Sequence, residues 1–450
     1  MQGSRISGCI VGGTSGRAGG GRLRSTAMAI GTLACATALL ASGVAYGTSS
    51  SVQQGPTQRF SYGWDFSQQA PDNNAANYPA AVTAAQSVMS GIHGMVEDQA
   101  IMGWGPGNPE PSPGVYNFSG IANRLNIITS TGGTPVLTLC AAPDWMKGGT
   151  AGTTDWSKID VAPVASHYQD FANLAARIAA AFPQVKYFVV WNELKGFYVQ
   201  GSGWNIQGYT QMYNDVYTAI KAVRPDALVG GPYAPLPTLG SKPAGTVSTT
   251  PQGPWGYVSQ GTLNAVSYWL ANKVGADFLA VDGKDFPESG PITDPLTATQ
   301  KYAAVDQWLE ARSALPIWWV ESHVEPPNSG WSDQQGAAVR VAALLQMATS
   351  GASVGMQWQP QDESGWPDEG LWTSTLTQNG GQATALASVL PRVLPVLAQA
   401  VSIVGGMPFG VIMVHGSGGT VTVNTTASSV KLSSIYTGTV LLGAGRVLVS

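Results

Sequence analysis

Charge is scarce in this sequence. Only 11% of its 450 residues are Asp, Glu, Lys or Arg, with 22 basic against 26 acidic and a formal net charge of −4. No basic stripe runs through it, which excludes nucleic acid as a partner. Histidine is scarcer still. The four are scattered, with no H-x-x-H or H-E-x-x-H spacing, and no Asp-rich calcium loop is present, so no metal is expected. No glycine-rich phosphate loop follows a strand at the right spacing, so no cofactor is expected either. Cysteine is limited to Cys9, Cys35 and Cys140, without a C-x-x-C pair. The first two fall in an expected targeting segment. That leaves Cys140 alone, with no intrachain disulfide to make and a buried, small-hydrophobe role.

What is present is apolar and aromatic. Hydrophobic residues make up 44% of the chain, enough for a sizeable core and against wholesale disorder. Glycine and proline are abundant without a collagen-like period and read as many loops. Fifteen tryptophans in a weakly charged chain suggest stacking surfaces for flat, neutral ligands beside ordinary core use. Near the start, Arg5, Arg17, Arg22 and Arg24 precede an uncharged run from Thr26 to Val44, followed by small and polar residues. That is the layout of a signal peptide over residues 1–47, with an uncleaved anchor as the alternative, and a linker over 48–59. Either form implies export, to the cell surface or beyond it. No membrane partner is expected apart from that anchor.

From Phe60 to about residue 400, short apolar runs alternate with helical periods. Eight candidate strands appear: Phe60–Asp65, Gly94–Glu97, Pro135–Cys140, Tyr187–Trp191, Ala227–Gly231, Phe278–Val281, Ile317–Val320 and Val354–Gln357. Phe171, Leu174, Ile178 and Phe182 recur at helical spacing, as do Tyr209, Met212, Tyr213, Val216, Ile220 and Val223. Eight such alternations predict an α/β fold, a (β/α)8 TIM barrel. Helix-to-strand connections are short, while strand-to-helix connections such as 141–165 and 232–256 are long. The long ones would share the carboxyl-end face of the barrel, where barrel active sites lie. After Pro391 the pattern changes. Val411–Val414, Thr420–Asn424, Val430–Leu432 and Val440–Leu442 predict a small β-sandwich-like accessory domain over 401–450, with almost no ionisable residues.

Two acids stand out. Glu193 ends the fourth strand in Val189-Val190-Trp191-Asn192-Glu193. Glu321 ends the seventh in Ile317-Trp318-Trp319-Val320-Glu321. Each alone reads as the first solvated residue after a buried strand. Together, on strands facing each other across a barrel mouth, they suit glycoside hydrolysis, in which one carboxyl protonates the leaving oxygen and the other attacks the anomeric carbon or activates water. A retaining pair, 128 positions apart in the chain, should sit about 5 Å from each other. Asp65 and Asp282, at the ends of the first and sixth strands, are candidates to grip sugar hydroxyls. Trp145 is a candidate subsite wall. His323, two past Glu321, is placed to touch it or to pack. Lys195 reads first as a solvated lysine, with holding the acid's loop or meeting an anionic substrate as the alternatives.

These motifs resemble clan A glycoside hydrolases. They are Trp-Asn-Glu193, Trp-Trp-Val-Glu321, Trp358 after the eighth strand, and Glu110-Pro-Ser-Pro-Gly-Val-Tyr-Asn-Phe118. With Gly230-Gly231-Pro232 and the β-rich tail, the sequence is most similar to glycoside hydrolase family 39, which includes β-xylosidases. The resemblance implies a retaining double displacement with Glu193 as acid/base and Glu321 as nucleophile. It also implies that Asn192 binds the sugar 2-hydroxyl and that Trp358 stacks under the sugar. A carbohydrate is then the expected partner. The second strand departs from the pattern: relatives carry an Arg there, whereas this chain reads Gly94-Met95-Val96-Glu97-Asp98, so xylosidase specificity is not carried over. A transglycosylase, or a non-catalytic carbohydrate-binding or cell-envelope protein on the same barrel, is the rival reading. The substrate, endo or exo action and the oligomeric state stay open.

Overall fold

The computed structural model describes residues 59–65, 78–100, 108–240, 251–287, 294–326, 329–361, 370–399, 401–434 and 438–450. The expected leader, its cysteines Cys9 and Cys35, and all but residue 59 of the expected linker lie outside the described residues. Eight parallel strands close into a barrel: β1 Ser61–Asp65, β2 Val96–Ala100, β3 Thr134–Leu139, β4 Tyr187–Val190, β5 Leu228–Pro235, β6 Phe278–Lys284, β7 Ile317–His323 and β8 Ala352–Trp358. Each strand pairs with its sequence neighbours, and β8 pairs back onto β1. Eight helices alternate with them: α1 Pro79–Gly91, α2 Ser119–Ser130, α3 Tyr168–Ala181, α4 Ile206–Val223, α5 Gln260–Asn272, α6 Pro295–Glu310, α7 Asp333–Ser350 and α8 Ala385–Leu397. The eight strands expected from apolar runs are these eight strands.

The strands form because they are buried on both faces, which is why they read as nearly continuous apolar runs. One side chain set fills the barrel: Val96, Val136, Val189, Phe278, Trp318 and Val354. Phe278 and Trp318 stack there with centroids 4.2 Å apart. Gly230 in β5 makes the room, since a Cβ at that position would lie 2.1 Å from the Phe278 ring. The opposite face packs against the helices, as the 3.6-residue period in α3 and α4 anticipates.

Asp306 on α6 is buried in that outer layer. It accepts hydrogen bonds from the Trp319 indole N–H, at 2.8 Å, and from the Ser350 hydroxyl. Burial pushes its carboxyl up to about 8, so it is protonated in the folded chain at neutral pH. An unfolded Asp ionises near pH ~4. Asp306 therefore favours the fold at low pH, and that contribution is lost progressively as pH rises towards about 8. Asp306→Asn mimics the protonated acid and keeps an acceptor for Trp319. Its stability relative to wild type should rise by ~2 kcal/mol between mildly acidic and mildly alkaline pH, read from urea melts across pH. A difference independent of pH would count against this assignment.

Past the barrel, the change of pattern expected after Pro391 comes later than the sequence suggests. Helix α8 runs through both Pro391 and Pro395, ending at Leu397. The two prolines are four apart and so share one helix side, while Leu386, Leu390, Val393 and Leu397 carry the packing. A four-stranded antiparallel sheet follows, from β9 Val401–Ile403, β10 Val411–Gly416, β11 Gly419–Asn424 and β14 Val447–Val449. A separate ribbon pairs β12 Val430–Ser434 with β13 Gly438–Leu442. The Asn424 amide, buried, donates to the carbonyls of Ser428, Leu442 and Gly443, tying sheet to ribbon. Strands β9 and β14 lie outside the four runs that the sequence displays, because each is only three residues long. Among the described residues, no helix is long and apolar enough to cross a membrane.

Candidate active site

The site is set by strand ends. On one side of the barrel, Asp65 in β1 is the register partner of Trp358 in β8 and of Asp98 in β2. On the other, Asp282 in β6 is opposite Glu321 in β7. Registers shift twice around β6. Tyr233 in β5 and Val320 in β7 are each passed over in the pairing. Such bulges re-aim neighbouring side chains. Tyr233 has φ +51, in the left-handed region that a bulky residue seldom occupies. Held there, it donates its hydroxyl to Glu321 Oε2 at 2.8 Å and reaches Asp65 Oδ2 at 3.4 Å.

Glu321 is buried and doubly supported. His323 Nε2 lies 3.0 Å from its Oε1, opposite the Tyr233 contact. Burial would push the Glu321 carboxyl up. The hydrogen bond and charge of His323, the Lys195 ammonium and the Tyr233 hydroxyl outweigh it and hold the carboxyl below its ordinary range. It is an ionised oxygen pair inside a protein, the condition a nucleophile needs. Behind it, Arg340 on α7 is also buried. It donates to Ser322 Oγ at 2.9 Å and to the Ser322 carbonyl at 3.1 Å, fixing the strand between Glu321 and His323.

Glu193 sits in the turn after β4. Trp191 has φ +70, Glu193 φ +48 and Leu194 φ +54. Three non-glycine residues in that region store backbone strain, which persists where surrounding contacts overdetermine it. Here the Trp191 indole N–H donates to the Lys195 carbonyl at 2.7 Å, and the Lys195 N–H to the Asn192 carbonyl at 3.0 Å. Lys195 Nζ then pairs with Glu193 Oε2 at 2.6 Å. Burial lowers the Lys195 ammonium, but Glu193 and Glu321 more than offset it, and it is held above its ordinary value.

Asp282 joins the two glutamates. Its carboxyl lies beside that of Glu193, within reach of a hydrogen bond when one of the two is protonated. One ligand-type atom each of Asp282, Glu321 and His323 lies within 4.8 Å of the others, and His323 Nε2 meets Glu321 Oε1 at 3.0 Å. Burial, then the Glu321 and Glu193 charges, push the Asp282 carboxyl well up. Burial, Asp98 and Glu321 do the same to Asp65. Asp98 accepts the Thr138 hydroxyl, so an acid occupies the second strand beside Asp65.

No protein-family model and no curated protein matches the chain by sequence. Solved structures do match. A family 39 glycoside hydrolase from Bacteroides cellulosilyticus WH2 superposes with a TM-score of 0.56 at 15% identity, over 87% of this chain and 81% of its own. A family 39 β-xylosidase from Caulobacter crescentus gives 0.51 at 15%, over 82% and 78%. A conserved exported protein from Bacteroides fragilis gives 0.58 at 13%, over 88% and 98%. The fold is that of family 39 glycosidases.

On this fold, Asp65, Glu193, Asp282, Glu321 and His323 converge through the contacts above. Trp358 ends β8 with its ring 5.2 Å from that of His323, at the edge of the same cluster. Asn192 is buried between Trp191 and Glu193. Trp145 follows β3. It lies in a short 3-10 turn, where its N–H donates to the Glu110 carbonyl at 3.0 Å and its ring meets His167 edge-on. Those described contacts brace two loops. Glu110 likewise fixes its own loop, accepting the Gly114 N–H at 2.9 Å. Cys140 is buried, its thiol pushed up to about 12. Sequence reasoning missed Tyr233 and Asp98. Tyr233 follows Gly230-Gly231-Pro232, where β5 seemed to end, though the strand continues to Pro235.

Proposed function

We propose that this chain is an exported, retaining glycoside hydrolase that cleaves O-glycosidic bonds of an oligosaccharide or polysaccharide. The observation that carries the reading is the junction at Asp282, whose carboxyl lies beside Glu193 and has an oxygen within 4.8 Å of Glu321. The two glutamates thus flank one small space, as double displacement requires. In the first step a Glu321 oxygen attacks the anomeric carbon. The bond to the glycosidic oxygen breaks as Glu193 gives that oxygen a proton. In the second, Glu193 takes a proton from water, the water oxygen bonds to the anomeric carbon, and Glu321 leaves with its electron pair. Tyr233, donating to Glu321, orients the attacking carboxylate. A mechanism-based 2-deoxy-2-fluoroglycosyl fluoride tests the reading. Peptide mapping should find the label on Glu321, and label on another residue would remove the mechanism.

The surface next to the acid suits a sugar leaving group. The glycosidic oxygen protonated by Glu193 departs with that group, so residues continuing from Glu193's own turn lie on its side. Phe197 packs inward against Trp191 and Tyr209. Tyr198, the next residue, therefore points out. It is 60% exposed, edge-on to Trp204, and Trp156 is 57% exposed on the loop that closes against Gly196. Aromatic faces suit the C–H side of pyranose rings. Tyr198→Ala should lower kcat/KM about 5-fold on an oligosaccharide and leave 4-nitrophenyl glycosides unchanged, since a stacking contact is worth ~1 kcal/mol. Equal losses on both substrates would place the effect elsewhere.

A further inference from the structure

One hydrogen bond in this site needs a proton that its acid does not hold. Asp282 and Glu193 are carboxyls lying side by side, and two carboxylates repel, so a hydrogen bond between them forms only when one is protonated. Glu193 also makes an ion pair with Lys195 at 2.6 Å, which uses the carboxylate form. A carboxylate has no proton to give to a leaving oxygen. Asp282 has no such cation pair. It is buried beside Glu321, on the register position directly opposite. We propose that Asp282 is the positioning residue that stores the proton which Glu193 delivers, and that it releases this proton as Glu321 loses its charge.

The inference rests on the glycosidase reading. In the resting site Asp282 is neutral, Glu193 and Glu321 are carboxylates and Lys195 is an ammonium. As Glu321 bonds to the anomeric carbon it becomes an uncharged ester. The repulsion that kept Asp282 protonated disappears in the same step. The proton moves from Asp282 to Glu193 and from Glu193 to the glycosidic oxygen, whose bond to carbon breaks. Asp282 finishes as a carboxylate, so the site's net charge is the same before and after. Hydrolysis of the ester runs it backwards: the water proton passes to Glu193 and on to Asp282, while Glu321 regains its charge. The groups facing Asp282 are consistent with this. Glu193 faces it from the β4 turn, Glu321 and His323 from β7, Tyr233 from β5 and Lys301 from α6. Lys301 is itself buried and lowered to about 7, with its ammonium donating to the carbonyls of Leu236 and Lys284, so it gives Asp282 only a weak counter-charge near neutrality.

Asp282→Asn tests the proposal, because an amide fills the same space without a releasable proton. On a series of aryl and alkyl glycosides its rate loss should grow from a few-fold with 4-nitrophenol as leaving group to ~100-fold or more with an alkyl or sugar leaving group. The alkaline limb of its pH–rate profile should also move. A uniform loss across the series with an unchanged profile would overturn the proposal. A measurement on the wild-type chain bypasses turnover and folding of the variant. With 13C-labelled aspartate, the difference between infrared spectra of the resting and the fluorosugar-trapped protein at neutral pH should show one protonated carboxyl band lost on trapping, while the band of Asp306 cancels because that acid stays protonated in both. A difference spectrum in which no protonated carboxyl band is lost on trapping would refute the proton store. Failure of the wild type to react with any glycoside would instead reject the glycosidase reading, while the resting wild-type spectrum minus that of Asp282→Asn would still report which state Asp282 holds.

Discussion

Glu321→Gln is expected to abolish glycoside turnover, by on the order of 10^4-fold or more in kcat, while leaving the fold intact. The amide is isosteric with the carboxylate, so Tyr233 keeps its acceptor at the position now 2.8 Å away. What is lost is the negative oxygen that bonds to the anomeric carbon. The surroundings are built for that oxygen. Burial works against the charge, and His323, Lys195 and Tyr233 together reverse its effect. The same contacts predict how activity falls in acid. Because the Glu321 carboxyl lies below its ordinary range, the nucleophile stays ionised across weakly acidic pH and is lost only as the pH falls through that depressed value. Circular dichroism and thermal melting should match wild type, and initial rates on an aryl glycoside would measure the loss. A variant with undiminished kcat would show that another group attacks the sugar.

Most of this site could be read from the chain, because barrel geometry turns sequence order into space. A residue that follows an apolar strand lands at the mouth, and strand number fixes where around the ring it lands. Glu193 and Glu321 were legible for that reason, as were Asp65 and Asp282. What escaped was whatever depends on a break in regularity. Tyr233 reaches Glu321 only because β5 bulges at that residue with a positive φ, and the apolar pattern carries no mark of a bulge. For Trp145, which follows the third strand, the sequence carries no mark of the contact its indole makes with the Glu110 carbonyl, on a loop distant in sequence. Helix α8 misled in another way. Two prolines argue for termination, yet it continues because its apolar stripe, Leu386, Leu390, Val393 and Leu397, packs on the core regardless. The second strand's lack of Arg was visible, but not what replaces it. Positive charge comes to Glu321 from Lys195, two residues past the acid, while Arg340 supports the strand from α7.

Glu193→Ala separates the two halves of the reaction. A general acid contributes ~10^2–10^4-fold where the leaving group is a sugar and needs its proton. It contributes little where the leaving group is 4-nitrophenol, which departs as a stable anion. The first step should therefore survive on 4-nitrophenyl glycosides, and the ester on Glu321 should accumulate because no base activates water. A burst of 4-nitrophenol followed by slow turnover is the expected trace. Removing the side chain also leaves a gap beside Lys195, whose ammonium loses its partner at 2.6 Å. Azide fits that gap, is attracted by the ammonium and needs no base. Added azide should restore the steady-state rate and yield a glycosyl azide with the configuration of the substrate. Retention follows from geometry: the ester is formed from one face and opened from the other, the face on which Glu193 stood. An azide product of inverted configuration would mean that the sugar is attacked once, with Glu193 and Glu321 in an inverting arrangement. No response to azide would mean that Glu193 is not the base.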